Sequence, residues 1–297
     1  MTTTQAEAQD RRLTLNGLRF HYRDWGNASA QPMVCLHGFT SHAHSWDTFA
    51  AAMRERYHVL ALDQRGHGET DWATDYQPAR RVEDLEAFVS SLGLERLVLV
   101  GLSMGGWTAF SYAAKHPGSV ERLVIVDIAP EIDPRGAQRI ANNTRAKDVF
   151  ADPEEAVALA RALNPRPPEA ELRARTLHNL VQRPDGTWTW RYDVALRNGT
   201  ASVRATPEEA QAMWPLLRKI SCPTLLVRGV DSDILSPELA QRMVASIPNC
   251  RLVEVPNSGH AVPFDNPTGF VQAVQTFLLE QDAAGQLSSW AAGQLGS

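Results

Sequence analysis

The 297-residue sequence predicts an α/β protein with a parallel sheet that helices cover on both faces. Short apolar segments of strand length alternate with segments of helical spacing in both halves of the chain. The alternation stops between about residues 131 and 218, where no clear buried strand can be read. We therefore expect one sheet domain that is interrupted by a helical insertion.

A hairpin precedes the alternating segments. Asn16-Gly17 lies between two strand-like segments, and this dipeptide is the strongest short hairpin signal. The next candidates are, in chain order, a strand at 32–38, a helix at Trp46–Tyr57, a strand at 58–63, a helix at 82–94, a strand from Leu97, a helix after Ser103 and a strand at 122–130.

Charged helical segments and a turn-bearing DGTWTWRYD segment fill the interruption. Strands at 223–229 and 251–256 and helices at Pro237–Ile247 and Pro267–Glu280 then restore the pattern. The predicted domains are a first part of the core at 1–130, a helical insertion at 131–218, a second part of the core at 219–282 and a flexible tail at 283–297.

Composition excludes several classes of partner. The chain is 43% apolar with a net charge of −5, and it has no run of five basic residues, so neither nucleic acid nor an anionic membrane is an expected partner. The three cysteines, Cys35, Cys222 and Cys250, form neither a disulfide framework nor a zinc-binding spacing. The polar N-terminus shows no secretory signal, so the expected location is the cytoplasm. The sequence does not predict the oligomeric state.

One serine lies between glycines where a strand passes into a helix. Gly101-Leu102-Ser103-Met104-Gly105 follows the apolar strand LVLV and precedes a segment of helical spacing. This is the context of a nucleophile elbow, in which the serine takes a strained backbone conformation and small neighbours let strand and helix pass closely. A plain glycine-rich turn is the alternative. The dinucleotide-binding pattern Gly-x-Gly-x-x-Gly is absent.

Four motifs follow one another along the chain: His37-Gly38-Phe39, Asp63-Gln64-Arg65-Gly66-His67-Gly68, Gly101-Leu102-Ser103-Met104-Gly105-Gly106 and Gly259-His260. With these motifs in this order, the chain resembles the α/β-hydrolase superfamily from about Leu13 to Leu279. The resemblance implies an eight-stranded, mostly parallel sheet with a helical cap after strand six. It also implies that the Asp63 loop is mainly structural.

A serine hydroxyl needs a base and a group that orients the base. His260 follows an apolar strand in the loop where the superfamily has its catalytic histidine. Many relatives carry the acid where this chain has Ser232. A match to the family's Asp-x-apolar-x-Pro selects Asp233, while Asp231 and Asp127, which ends strand six, stay open as alternatives.

The tetrahedral intermediate needs hydrogen-bond donors aimed at its oxygen. The backbone amide of Met104, directly after the serine, is one candidate, and by resemblance the amide of Phe39 is the other. Position 103 is not Asp, which argues against haloalkane dehalogenases and epoxide hydrolases. The His-Gly-Gly-Gly motif of one large esterase group is also absent.

Two further sets of residues are candidates for binding. His42, His44 and Asp47 resemble part of a binuclear metal motif, but the Asp is displaced and the closing His is missing, so no metal is expected. Four tryptophans are candidates for lining a substrate pocket, with core packing as the alternative: Trp107, Trp188, Trp190 and Trp214.

The expected activity is cofactor-independent hydrolysis of small or medium carboxylic esters through an acyl-enzyme, with Ser103, His260 and Asp233 as the triad. A lactonase and a carbon–carbon bond hydrolase are alternatives on the same fold, since fold does not decide function. Outside enzymes of this type, a slow-turnover ligand receptor and a metal-dependent hydrolase are the alternatives.

Overall fold

The computed structural model describes residues 8–201 and 203–279. Within these residues the strands are β1 (Gln9–Leu15), β2 (Leu18–Asp24), β3 (Gln31–Leu36), β4 (Tyr57–Leu62), β5 (Leu97–Leu102), β6 (Val120–Val126), β7 (Val149–Phe150), β8 (Leu180–Gln182), β9 (Trp188–Trp190), β10 (Thr224–Gly229) and β11 (Cys250–Val255). The helices are α1 (Asp47–Met53), α2 (Pro78–Ser91), α3 (Met104–Lys115), α4 (Pro134–Thr144), α5 (Pro153–Leu163), α6 (Glu169–His178), α7 (Val194–Arg197), α8 (Pro207–Leu216), α9 (Pro237–Ser246), α10 (Val262–Asp265) and α11 (267–279).

Eight strands form one sheet in the order β1-β2-β4-β3-β5-β6-β10-β11. The β1–β2 and β2–β4 pairs are antiparallel, and every other pair in this sheet is parallel. The predicted fold class, an α/β protein with an eight-stranded, mostly parallel sheet, is confirmed.

The central strand β5 shows why the sheet strands read as continuous apolar runs. All six of its residues are buried. Leu97 and Leu99 pack into the apolar cluster on one face of the sheet, whereas Val98 and Val100 pack into the cluster on the other. A parallel strand that is covered on both faces has no solvent side, so its sequence shows no alternation.

The first hairpin follows from its turn residues. Asn16 and Gly17 have φ values of +50° and +80°, and Leu15 pairs with Leu18 across the turn. A two-residue turn with both φ values positive matches the right-handed twist of the strands, and Asn-Gly adopts it readily.

The segment between β6 and β10 contains more than helices. It comprises α4 to α8 together with a small antiparallel sheet in the order β7-β9-β8. The sequence analysis predicted the helices of this insertion but not its small sheet, because strands of two or three residues are too short to show a period. The predicted domain boundaries at 130, 218 and 282 stay a prediction, and the predicted tail at 283–297 lies outside the described residues. No helix in the described part of the chain is long and apolar enough to cross a membrane.

Candidate active site

Ser103 lies at a sharp strand-to-helix turn. It follows β5 and precedes α3, and its backbone has φ +52° and ψ −114°. A non-glycine residue in this region stores about 1–3 kcal/mol of strain and persists only where its surroundings hold it. The Ser103 N–H donates to the carbonyl of Val126 at 3.0 Å, and the Ser103 carbonyl accepts from Trp107 N at 2.8 Å. These two bonds fix the turn to the neighbouring strand and to the helix.

The glycines around Ser103 are required by close backbone approaches. A Cβ at Gly101 would collide with the carbonyl of Gly105, and a Cβ at Gly105 would collide with the carbonyl of Leu36. A Cβ at Gly106 would lie 2.6 Å from the side chain of Ile128. The strand, the helix and the end of β3 can therefore meet at the serine only when these positions lack side chains.

His260 lies in the loop between β11 and α10, and Asp127 holds its imidazole. Nδ1 of His260 donates to Oδ2 of Asp127 at 2.8 Å. A carboxylate that accepts from Nδ1 fixes the tautomer with the proton on that nitrogen, so Nε2 keeps a lone pair that can accept a proton. Ser103 and His260 line the same cavity.

Asp127 is fully buried and receives three hydrogen bonds. Besides His260, Gly229 N donates to its Oδ1 at 3.1 Å, and the hydroxyl of Ser232 donates to its Oδ2. Burial raises the pKa of Asp127, while the hydrogen bonds from His260, Ser232 and Gly229 act in the opposite direction.

The structure corrects the assignment of Asp233 as the partner of His260. The carboxylate of Asp233 accepts from Nε and Nη2 of Arg139 at 2.5 and 2.7 Å. The hydrogen bond from Arg139 lowers the pKa of Asp233. Asp231 is also turned away, because its carboxylate pairs with Arg166 at 3.3 Å. The loop after β10 instead directs Ser232, between these two aspartates, onto Asp127.

The loop after β3 passes beside the serine. An ideal Cβ at Gly38 would contact Cβ of Ser103 at 3.5 Å. Phe39 and Met104 line the same cavity as Ser103. Met104 is the first residue of α3, so its backbone N–H has no acceptor within the helix. The assignment of the Phe39 and Met104 amides to an oxyanion hole stays a prediction that this arrangement supports.

Gln64 holds His37, the residue before Gly38, in place, and the sequence did not predict this contact. The Gln64 side-chain amide donates to the His37 carbonyl at 2.6 Å, and the Gln64 backbone N–H donates to Nε2 of His37 at 3.0 Å. Nδ1 of His37 donates to the Gly38 carbonyl at 2.8 Å, and burial lowers the pKa of His37. A neutral imidazole with one donor and one acceptor nitrogen therefore orients the Gly38 loop. The histidine and glutamine were both visible in the motifs, but their contact was not.

Two cavities meet at Ser103. The first, the polar cavity, has a volume of about 260 Å³, and its lining includes Arg139, Arg175, Asn143, Asn164, Asn179 and His260. The second, the apolar cavity, has a volume of about 560 Å³. Most of its lining residues are apolar, including Met104, Trp107, Ile128, Ile132, Val203 and Leu239, and its charged lining residues are Arg81, Glu131, Asp133 and Arg204. The two cavities differ in their charged residues, since only the apolar cavity is lined by carboxylates and only the polar cavity is lined by His260.

The four candidate tryptophans divide between cavity and core. Trp107 lines the apolar cavity and Trp190 lines the polar cavity. Trp188 lines neither of them and packs against the apolar cluster around Phe150. Trp214 is also absent from both linings, since its Nε1 donates to Glu131 and the guanidinium of Arg242 stacks over its ring. For these last two residues, core packing is the better interpretation.

The histidines of the partial metal motif have other partners. Nε2 of His42 donates to the carbonyl of Arg175 at 2.9 Å, which ties the loop after β3 to α6. Burial lowers the pKa of His42 to about 3. His44 contacts Asp47 at 3.0 Å and stacks on His178 with a centroid distance of 3.7 Å. These histidines connect the core to α6.

Comparison with known proteins identifies the family of this chain. The sequence model of the alpha/beta hydrolase family matches residues 33–273 of this chain. The 3-hydroxybutyrate-oligomer hydrolase of Cupriavidus necator is 32% identical over 274 residues, which cover 87% of this chain and 92% of that protein. An esterase of Mycobacterium tuberculosis is 30% identical over 86% of this chain and 84% of its own length. A crystal structure of an alpha/beta hydrolase from Novosphingobium aromaticivorans superposes with a TM-score of 0.78 at 32% identity, over 92% of this chain and 98% of that one.

Proposed function

Because the chain belongs to the alpha/beta hydrolase family, we propose that it is a serine hydrolase of carboxylic esters. In this proposal Ser103 is the nucleophile, His260 the general base and Asp127 the acid that orients His260. The backbone amides of Phe39 and Met104 stabilise the oxyanion. The relatives described above include an esterase and an oligomer hydrolase, and both names agree with ester hydrolysis.

The hydrogen bond from His260 to Asp127 is the observation that carries the proposal. This hydrogen bond orients the imidazole of His260 so that Nε2 can accept a proton. His260 and Ser103 line the same cavity. The strained backbone of Ser103 supplies a second argument, since strain of this kind occurs at reactive sites that the surrounding fold holds in place.

The reaction then follows in two steps. Ser103 attacks the ester carbonyl while Nε2 of His260 takes the hydroxyl proton, and the resulting imidazolium is stabilised by the carboxylate of Asp127. His260 gives this proton to the departing alkoxide, which leaves as an alcohol and generates the acyl-enzyme. Water, deprotonated by His260, next attacks the acyl-enzyme. The products are a carboxylic acid and an alcohol, and Ser103 regains its proton.

The test is steady-state turnover of a panel of p-nitrophenyl esters of increasing acyl length, with γ- and δ-lactones in parallel. We expect many turnovers per active site on esters and no loss of rate in the presence of a metal chelator. A single burst of nitrophenol, with no further release afterwards, would instead favour a slow-turnover receptor. Turnover confined to lactones would replace the esterase proposal with a lactonase.

A further inference from the structure

The polar cavity is lined by two cations. Arg139 from α4 and Arg175 from α6 both line it, together with Ser103 and His260. Among the described residues that line this cavity, none is an aspartate or a glutamate. The two arginines are therefore the charged side chains in the lining, and Arg139 is paired with Asp233, which does not line the cavity.

Arg175 has no such neutralising partner. Within residues 8–201 and 203–279, no carboxylate lies at ion-pair distance from its guanidinium. The guanidinium instead stacks over the ring of Phe264, 4.2 Å from its centroid. Burial lowers the pKa of Arg175 to about 10, while the more distant charges of Asp265 and Glu171 favour the charged form. Arg175 is thus a cation at neutral pH. Stacking on a ring leaves the in-plane N–H groups of an arginine available for bidentate contact with a carboxylate.

The position of His260 indicates which part of the substrate meets Arg175. His260 lines the polar cavity and not the apolar cavity, whereas Ser103 lines both. In the proposed mechanism His260 protonates the departing alkoxide, so the alcohol portion of the ester must lie on the side of His260. The acyl portion then occupies the apolar cavity, whose lining suits an aliphatic chain.

We infer that the substrate is an ester of a hydroxy acid, whose alcohol portion carries a carboxylate that binds Arg175 in the polar cavity. This inference rests on the proposed ester hydrolysis and specifies its substrate class. Hydrolysis consumes one water and yields an aliphatic carboxylic acid and a free hydroxy acid. The carboxylate supplies the counter-ion that Arg175 lacks, and it places the scissile oxygen on the side of His260.

The experiment compares two esters that differ only in charge. They are the butanoate ester of 3-hydroxypropanoate and the butanoate ester of the neutral 3-hydroxypropanamide. The measured quantity is the ratio of kcat/KM for the charged ester to that for the neutral ester. We expect the wild-type ratio to exceed unity and Arg175→Gln to lower it by about tenfold or more, since a charge-assisted hydrogen bond is lost.

Three variants keep the result interpretable. Arg173→Gln removes an exposed arginine of the same helix that pairs with Glu154, and we expect it to keep the wild-type ratio. Arg175→Lys retains the charge and should lower the ratio less than Arg175→Gln does. Asp233→Asn releases Arg139 from its pair and should raise the ratio.

The outcomes separate the inference from the proposed function. If both esters are hydrolysed and the ratio is near unity, or is the same in wild type and Arg175→Gln, the inference is overturned and ester hydrolysis stands. If the wild-type protein hydrolyses neither ester but turns over p-nitrophenyl esters, the inference is overturned and ester hydrolysis stands. If it turns over no ester at all, the proposed function fails and the inference fails with it.

Discussion

Oδ2 of Asp127 lies 2.8 Å from Nδ1 of His260, so the carboxylate that follows β6 holds the imidazole. The loop after β10 supplies a hydroxyl at this point: Ser232 donates to the same carboxylate oxygen. Asp127 is fully buried, whereas Asp233 is about one-third exposed and is paired with Arg139. Asp127 and its hydroxyl partner Ser232 therefore follow two neighbouring strands of the sheet, β6 and β10.

The first prediction concerns Asp127. In Asp127→Asn the amide cannot stabilise the imidazolium, and it favours the wrong tautomer of His260. We expect kcat for p-nitrophenyl esters to fall by about 10⁴-fold, as in the best-characterised serine triad, with the circular dichroism spectrum unchanged.

Asp233→Asn is the matched variant on the neighbouring loop. Because its carboxylate contacts Arg139 and not His260, we expect kcat on neutral esters to stay within about tenfold of wild type, a difference of about 1.4 kcal/mol in activation free energy. An inactive Asp233→Asn beside an active Asp127→Asn would return the acid to the loop after β10.

The fold could be predicted because its signals are local. Gly101-Leu102-Ser103-Met104-Gly105 has its glycines wherever a Cβ would collide with backbone, so the turn is visible in the residues themselves. The continuous apolar sequence of β5 indicates a strand that is buried on both faces of the sheet. The hairpin follows from the positive φ values that Asn16 and Gly17 tolerate.

The carboxylate that pairs with His260 could not be predicted, because three aspartates follow strand ends and their side-chain directions depend on distant partners. Asp233 forms an ion pair with Arg139 of α4, and Asp231 forms one with Arg166, so neither carboxylate pairs with His260. Neither arginine is near these aspartates in sequence. One signal was present: Ser232 occupies the position at which the resemblance led us to expect the acid, which left a carboxylate after another strand as the alternative.

The second prediction concerns Ser103. A fluorophosphonate should modify its hydroxyl, and peptide mass spectrometry should locate the adduct there. Ser103→Ala should lower kcat by about 10³-fold or more, because the nucleophile is removed while the hydroxyl contributes little packing. Ser111→Ala, a buried serine two turns further along α3, should keep labelling and activity. An adduct elsewhere on an active protein would refute the assignment.

The third prediction concerns acyl-chain preference. Trp107 lines the apolar cavity, so Trp107→Leu should enlarge the cavity and favour longer acyl chains. We expect the ratio of kcat/KM for p-nitrophenyl octanoate to that for the acetate to rise by about tenfold, since a methylene contact contributes about 1–3 kcal/mol. Trp188→Leu, which alters a tryptophan outside both cavities, should leave this ratio unchanged. An identical ratio in wild type and Trp107→Leu would place Trp107 in the core alone.

The fourth prediction concerns stability and pH at Asp63, which holds the loop after β4. Its buried carboxylate contacts Nδ1 of His21 at 2.6 Å and accepts from Ala43 N at 2.5 Å and from Glu69 N at 2.9 Å. Burial opposes the charged form of Asp63, but the hydrogen bond and the charge of His21 hold its pKa well below the usual range. Burial lowers the pKa of His21, but the hydrogen bond and the charge of Asp63 raise it, and the net effect is a raised pKa.

The two shifts define the pH window of this stabilisation. The depressed pKa of Asp63 means that its contribution is complete above the unfolded value of about 3.9 and is lost as the pH falls further. The raised pKa of His21 means that its contribution is complete below about 6.5 and is lost as the pH rises through the folded value. The pair therefore stabilises the fold most between about pH 4 and pH 6.5.

Asp63→Asn should accordingly lower the free energy of unfolding by about 3 kcal/mol or more near pH 5.5, because it breaks a buried pair. The difference from wild type should shrink below about pH 4 and again as the pH rises above 6.5. Urea unfolding of both proteins from pH 3 to pH 8 measures it. Glu69 lies in the same loop as Asp63 and forms an exposed ion pair with Arg12 of β1. Glu69→Gln removes this pair and should lower the free energy of unfolding by less than about 1 kcal/mol. A difference between wild type and Asp63→Asn that is constant over the whole pH range would show that the loop is held by packing and not by the Asp63–His21 pair.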